Sequence, residues 1–312
     1  MKLALFDGFK LGVVVGDGVM DVSDVVADVP RLEPEDLMRA LIPRFGDYKE
    51  RLQHAAERGR PSPTSEVTLR PPVPRPRTIA CMAVNYIEED PAPELPPING
   101  FLKSPSAIVG PDDTMVLPDV PATIFEGEAE LALVIGTRAS RVSAADAFDH
   151  VFGYMNFIDG SARGLLPAGN TFYQMKSRDT FAPIGPYLVT ADEVPDPQDL
   201  RVRLWVNGAL KQDFSTSAMA HKIPRSIEWM SAIHTLEPGD IVATGTHHHG
   251  LSSFQDGDVV ELETEGLGRL RIGVRDELQR TWGRDTRLEH RQKGLRGVST
   301  PQLTGRYANA KA

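Results

Sequence analysis

The stretch Phe125-Glu126-Gly127-Glu128-Ala129-Glu130-Leu131-Ala132-Leu133-Val134-Ile135-Gly136 sets three carboxylates at alternate positions, directly ahead of a continuous apolar run. Such a run reads as a strand buried on both faces. Strand side chains alternate, so Glu126, Glu128 and Glu130 project to one side. Like charges at that spacing repel, and burying them unpaired costs on the order of several kcal/mol. A buried strand therefore requires Lys, Arg or a bound cation opposite; the alternative is an exposed strand end with solvated glutamates. Asp159 closes a second apolar run, Gly153-Tyr154-Met155-Asn156-Phe157-Ile158-Asp159, followed by Gly160-Ser161-Ala162-Arg163. Two glutamates and an aspartate form an all-oxygen set suited to a hard cation, Mg²⁺, Mn²⁺ or Ca²⁺, with open positions for water or substrate. The absence of a matching His/Cys set speaks against zinc.

The elements that must position these groups are mostly short β-rich runs. Between about 78 and 275 they include Ala107-Ile108-Val109, Val202-Arg203-Leu204-Trp205-Val206, Ile241-Val242-Ala243 and Val259-Val260-Glu261-Leu262, punctuated by Gly, Pro and Asp. Helices are expected near 143–150, with Ser143 as cap, and near 224–234, with Pro224 at a first position. Residues 1–28 read as short strands joined by the turn signals Asp7-Gly8 and Gly16-Asp17-Gly18, and residues 34–58 read as helical. The prolines between Pro61 and Pro76 exclude helix or central strand there, and read as a linker. The expected division is a small N-terminal domain over 1–73, a catalytic body over 74–280, and a polar tail over 281–312. The tail carries Arg284, Arg287, Arg291 and Arg296 and reads as a solvated or subunit-contacting segment. The pattern is α+β, predominantly β, with a large curved sheet and no regular βαβ repeat.

Bulk properties narrow the function. The chain has 312 residues and a formal net charge of −9. That charge repels phosphate backbones, so nucleic acid is not an expected partner. The single cysteine, Cys81, lies in an apolar run and reads as a small buried hydrophobe; no disulfide framework is available within the chain. The N-terminal stretch is broken by Asp7, Lys10 and Asp17 and lacks a signal peptide's apolar run, and no segment approaches the roughly 18 apolar residues of a membrane span. A cytoplasmic location without membrane association is the default expectation.

From about Thr78 to Val274 the ordered segments resemble the fumarylacetoacetate hydrolase family. They include Val84-Asn85-Tyr86, Phe101-Leu102-Lys103-Ser104-Pro105-Ser106 and Glu128-Ala129-Glu130-Leu131. Farther on come Asp159-Gly160-Ser161-Ala162-Arg163, Lys176-Ser177-Arg178-Asp179-Thr180-Phe181, Leu236-Glu237-Pro238-Gly239-Asp240 and Thr244-Gly245-Thr246. The resemblance implies a mixed β-sandwich roll with a small N-terminal domain, a homodimer, and a divalent metal, Mg²⁺ with Mn²⁺ or Ca²⁺ as alternatives, held by Glu128, Glu130 and Asp159. It implies a small-molecule substrate with a 2-oxo acid or 1,3-dicarbonyl unit whose adjacent oxygens the metal chelates, lowering the cost of an enolate. Lys176 matches a lysine beside metal and substrate, where it either stabilises developing negative charge or serves as counter-ion to the carboxylates. Arg163 matches a substrate-side arginine suited to a carboxylate. Thr246 matches a substrate-contacting threonine, its alternative being a turn-capping hydroxyl, and Tyr86 and Lys103 complete the expected substrate contacts. Glu126 falls outside the matched pair and reads as an outer neighbour of the site or an exposed residue.

The sequence also departs from that pattern. Family members that hydrolyse C–C bonds place a histidine three residues after the Asn-Tyr pair and a glutamate three later, on a short lid helix. Here those positions hold Glu89 and Ala92, with Glu94 shifted and four prolines nearby. Gly164-Leu165-Leu166 replaces an expected Asp with a nearby Gln, and His247-His248-His249 replaces a Pro-x-Gly turn. One of these histidines either enters the outer shell of the site or supplies the missing base; otherwise the segment is a surface loop. The leading expectation is a divalent-metal-dependent C–C hydrolase of an acylpyruvate or fumarylacetoacetate-like acid, in breakdown of aromatic compounds. The alternatives are an isomerase, tautomerase or decarboxylase on a similar 2-oxo acid, or a binding protein that has lost catalysis.

Overall fold

The computed structural model describes residues 1–88, 94–168 and 172–308. It is α+β and predominantly β, built around two principal sheets. The larger sheet runs in the order Ser62–Pro63, Gly18–Asp21, Lys10–Val15, Lys2–Phe6, Ala182–Thr190, Val151–Arg163, Ile124–Ile135, Ile241–Ala243, Ile79–Met82 and Gly100–Lys103. The smaller runs Ala209–Ser215, Arg201–Val206, Val259–Thr264, Arg269–Asp276 and Thr114–Leu117. The N-terminal strands join the larger sheet through Leu3 opposite Leu188. The region expected to be helical over 34–58 contains Leu37–Leu41 and Phe45–Glu57, linked by the 3₁₀ turn Ile42–Arg44.

Every residue of Ile124–Ile135 is buried, which removes the exposed-strand reading of its glutamates. Strand alternation divides its contacts. Phe125 and Ala129 enter the apolar layer shared with the smaller sheet, beside Ile158, Val260 and Leu262. Ala132 and Val134, on the parity of the glutamates, pack with Ile79, Cys81, Met155 and the N-terminal strands. Cys81 is fully buried, as its apolar run implies.

Two helix expectations meet different outcomes. Ile223–Ile233 is an α-helix with Pro224 in its first turn. Ala144–His150 instead winds as 3₁₀, because Ser143 donates its hydroxyl to the Asp146 carboxylate at 2.7 Å and caps no backbone N–H. The C-terminal segment is not simply solvated: Thr281–Trp282 pairs with Gln302–Thr304, and Arg287–Gln292 forms a short helix closed by a Thr286/Glu289 capping box. Among the described residues no helix is long and apolar enough to cross a membrane.

Candidate metal centre

Register assembles the site. The long strands Ile124–Ile135 and Val151–Arg163 pair antiparallel, with Glu128 directly opposite Asp159. Cross-strand partners share a face, so the two carboxylates are neighbours although they stand 31 positions apart in the sequence. Glu130 follows on the same face, and one oxygen from each of Glu128, Glu130 and Asp159 lies within 4.8 Å of the others. All three are buried.

Three cations pair with Glu128 and Asp159, and a fourth, Arg287, with Glu126. Lys103 Nζ donates to Asp159 Oδ1 and Lys176 Nζ to Asp159 Oδ2, each at 2.5 Å. Lys176 Nζ also lies 2.9 Å from Glu128 Oε1. Arg163 bridges the strand, pairing with Glu128 through Nη2 and with Glu126 through Nε at 3.1 Å. Arg287 donates from Nε and Nη2 to the two oxygens of Glu126, at 3.0 and 2.5 Å. Glu126 is thus fully buried rather than exposed, and its two guanidinium partners supply the compensation that burial demands.

The electrostatics separate the two glutamates. Burial pushes the Glu128 carboxyl up, but the charges of Lys176 and Arg163 outweigh it and hold the group below its usual range. Among the described residues Glu130 has no such partner. Burial, then the charges of Asp159 and Glu128, push it well above that range; its Oε2 accepts the Gly245 N–H at 2.7 Å, while its Oε1 is buried without a hydrogen-bond partner among the described residues. An unpartnered buried carboxylate oxygen facing two other carboxylates fits a bound divalent cation: it supplies the missing partner and relieves the repulsion. Gly245 reaches Glu130 because its backbone has φ +88°, and a Cβ there would stand 3.0 Å from that of Asn85.

Glu128, Arg163, Lys176 and Thr246 line one cleft, closed on its apolar side by Phe101 and Phe172, whose rings stack at 4.6 Å. Lys176 ends the short helix Phe172–Lys176, with Nζ 5.4 Å from the Phe101 ring centre. Its contacts are those of a counter-ion to Asp159 and Glu128, and they raise its pKa against the opposing effect of burial. Thr246 accepts a hydrogen bond from Gln212 Nε2 at 2.9 Å. Lys103 lies beside Asp159 with its side chain fully buried, and Tyr86 packs edge-on to Phe214 at 5.0 Å, near enough to Glu130 for that charge to act on its phenol. The replaced lid positions Glu89 and Ala92 lie outside the described residues.

Three residues of this constellation have no obvious signal in the sequence. Arg287 sits in a basic tail with several other arginines. Gln212, fully buried in a polar strand, accepts the Ala129 N–H at 3.0 Å and donates to both Thr246 Oγ1 and His247 O at 2.9 Å. Glu88 meets His248 at the mouth of the cleft, with Oε1 2.5 Å from Nδ1. Only the spatial meeting of distant segments gives these residues meaning.

Comparison with known proteins agrees with this architecture. Residues 78–275 match the family described as fumarylacetoacetate (FAA) hydrolase C-terminal. The solved maleylpyruvate hydrolase from Sphingobium sp. SYK-6, in complex with manganese(II) and pyruvate, is 37% identical, with TM-score 0.80 over 88% of this chain and 99% of that one. A 2-hydroxyhepta-2,4-diene-1,7-dioate isomerase from Mycobacterium marinum is 39% identical, with TM-score 0.63 over 70% of this chain and 82% of that one. A mitochondrial oxaloacetate tautomerase of Bos taurus is 41% identical over 66% of this chain and 69% of its own length. With a matched core, the same layered sheets and a buried carboxylate triad, the chain belongs to the fumarylacetoacetate hydrolase family of enzymes.

Proposed function

We propose that the protein is a divalent-metal-dependent hydrolase that cleaves a C–C bond in an acylpyruvate-type 2-oxo acid. The observation that carries this reading is the charge pattern around the unpartnered Glu130 oxygen. Once the metal displaces the Glu130 proton, four carboxylates, Glu126, Glu128, Glu130 and Asp159, stand against four cations, Lys103, Lys176, Arg163 and Arg287. A divalent cation makes the cluster doubly positive, which complements the two negative charges of a 2-oxo acid's enolate. When bound by Glu128, Glu130 and Asp159, the metal supplies Lewis-acid polarisation of the 2-oxo group.

The chain's own side chains then divide the remaining work. Lys176 holds a fixed positive charge in the cleft, where negative charge develops on the substrate oxygen. Arg163, held by Glu126 and Glu128, places its charge beside it toward the substrate carboxylate. Gln212 keeps the Thr246 hydroxyl in place at the cleft wall. Phe101 and Phe172 exclude water from one side. Lys103 fixes Asp159, and Tyr86 is offered as a substrate neighbour through its closeness to Glu130, whose charge raises the phenol pKa after burial has done so. Mg²⁺ is the proposed native ion, Mn²⁺ a substitute, and a homodimer the proposed assembly.

A titration calorimetry experiment with Mg²⁺ or Mn²⁺, with and without oxalate as an enolate mimic, tests the site. Oxalate that strengthens metal binding, followed by release of pyruvate from maleylpyruvate or acetylpyruvate, supports the reading; no metal binding in either case overturns it. A second reading, tautomerisation or isomerisation without cleavage, is favoured by the identity to an oxaloacetate tautomerase and by Glu89 and Ala92 at the usual lid positions. It expects loss of the enol absorbance of oxaloacetate with no C–C bond broken.

A further inference from the structure

Among the described residues lining the cleft there is one imidazole, and its surroundings fix it more tightly than a surface loop requires. His248 opens the 3₁₀ turn His248–Gly250. Glu88 grips it twice: Oε1 accepts the His248 backbone N–H at 3.0 Å and lies 2.5 Å from Nδ1. The other Glu88 oxygen is 3.7 Å from His249 Nε2. The chain on either side is anchored as well. Gly245 N–H bonds Glu130, Gln212 holds the His247 carbonyl, and the His248 carbonyl accepts the Leu251 N–H at 3.0 Å. Both side chains of the pair are largely covered, 20% exposed for His248 and 30% for Glu88. Burial would raise the Glu88 carboxyl, but the His248 hydrogen bonds and charge prevail and bring it down to about 2.

His248 stands in two walls. It lines the cleft with Glu128, Arg163, Lys176 and Thr246, and also the adjoining outer cavity with Arg287, Arg291 and Leu295. The other basic groups of the cleft are not free to accept a proton, since Lys176 and Arg163 are paired with carboxylates that raise their pKa values against burial. An imidazole bonded through Nδ1 to a carboxylate keeps its proton on that nitrogen and leaves Nε2 as an acceptor.

We propose that His248 is the residue that transfers the proton in the cleft and that Glu88 is the positioning residue that orients its ring. In an acylpyruvate, Nε2 accepts a proton from water as the water oxygen bonds to the distal acyl carbon. The bond from that carbon to the pyruvate C3 breaks, and its electron pair passes to the enolate of pyruvate. The proton on Nε2 is delivered to C3, giving pyruvate, and the second water hydrogen stays on the released carboxylic acid. This assignment rests on the hydrolase reading above; it takes the imidazole from the His247–His249 segment and its carboxylate partner from Glu88, one residue before the lid position held by Glu89.

The test uses the full chain as wild type, His248→Gln, Glu88→Gln and Glu88→Asp, with Mn²⁺ and with maleylpyruvate or acetylpyruvate. His248→Gln is expected to lower kcat by about 10²-fold or more with little change in KM. Its oxalate and Mn²⁺ affinities should match wild type within about threefold. Glu88→Gln should lower kcat less, and Glu88→Asp should recover part of that loss. A second readout needs neither metal nor turnover: ¹⁵N-resolved NMR of the metal-free protein should show a His248 proton on Nδ1, far downfield, absent in His248→Gln and shifted in Glu88→Gln. Retention of kcat within threefold in His248→Gln, or an Nε2-protonated tautomer in wild type, overturns the proposal. If wild type binds no oxalate and turns over no acylpyruvate, the hydrolase reading falls and this assignment falls with it; if wild type is active and His248→Gln equally so, only this assignment falls.

Discussion

Arg287 and Glu126 join the C-terminal helix to the carboxylate strand, through paired contacts from Nε to Oε1 at 3.0 Å and from Nη2 to Oε2 at 2.5 Å. The glutamate is fully buried and the arginine side chain 17% exposed. Removing Arg287 leaves Glu126 with Arg163 alone. Arg287→Ala is therefore expected to lose about 2 kcal/mol, short of the roughly 3–5 kcal/mol that follows when a buried charge is stripped completely. Arg58→Ala, at an exposed position, should stay within about 0.5 kcal/mol. Chemical denaturation of the metal-free proteins measures both, and equal losses would show that the tail contributes no ion pair in solution.

Lys176 separates a counter-ion from a catalytic charge. It holds Asp159 and Glu128 together at 2.5 and 2.9 Å. Lys176→Met removes the charge while keeping most of the stem, so the metal-free variant should melt well below wild type. Saturating Mn²⁺ adds positive charge to the same carboxylates and should restore much of that stability. Turnover of maleylpyruvate should remain depressed by about 10²–10³-fold. Recovery of both melting temperature and turnover with metal would make Lys176 a counter-ion only.

Glu130 sets a pH dependence whose sign is opposite to that of Glu128. The folded protein holds the Glu130 proton more tightly than the unfolded chain does, because burial and two neighbouring carboxylates raise its pKa. Between the ordinary glutamate value of about 4.3 and the raised one, unfolding releases a proton, so stability falls as pH rises. Metal-free wild type should therefore lose stability relative to Glu130→Gln as pH is raised through that window. Metal binding needs the carboxylate and should expel the proton, so metal affinity should rise with pH by up to about tenfold per unit. Calorimetry in buffers of different ionisation enthalpy counts the proton. A pH-independent affinity would show Glu130 already ionised in the free protein.

Much of this site is legible in the residues themselves. Alternate glutamates ahead of an apolar run specify one face of a buried strand, and the structure buries all of Ile124–Ile135. Asp159 at the end of a second apolar run marks the pairing strand, although the register that sets it against Glu128 follows from tertiary packing. Register is a property of two strands at once, and neither segment alone encodes it. Arg287, Gln212 and Glu88 escape for the same reason. Each is a single polar residue in a polar neighbourhood, and its role exists only after segments more than 80 positions apart have met. Ser143 shows a local failure: its hydroxyl found the Asp146 side chain in place of a backbone N–H, and the turn wound as 3₁₀.

Gly127 shows how the opposite face of the same strand restricts the site. It lies between Glu126 and Glu128 and faces the layer between the sheets, where a Cβ would stand 2.3 and 2.5 Å from Phe254 ring carbons and 2.9 Å from Ile158 Cγ2. The Phe254 ring is tied in place by its own backbone N–H, which donates to Phe125 O at 2.8 Å. Gly127→Ala gains some strand propensity but must displace that ring or bend the strand, a cost of about 1–3 kcal/mol in a packed core. Bending the strand also moves the carboxylates on either side, so Mn²⁺ affinity should fall with stability. Phe254→Leu shortens the ring's reach, and the Gly127→Ala/Phe254→Leu double variant should be more stable than the sum of the single changes, with part of the metal affinity regained. Additive losses across this cycle, or unchanged metal affinity in Gly127→Ala, would show that the apolar layer and the carboxylate face are mechanically independent.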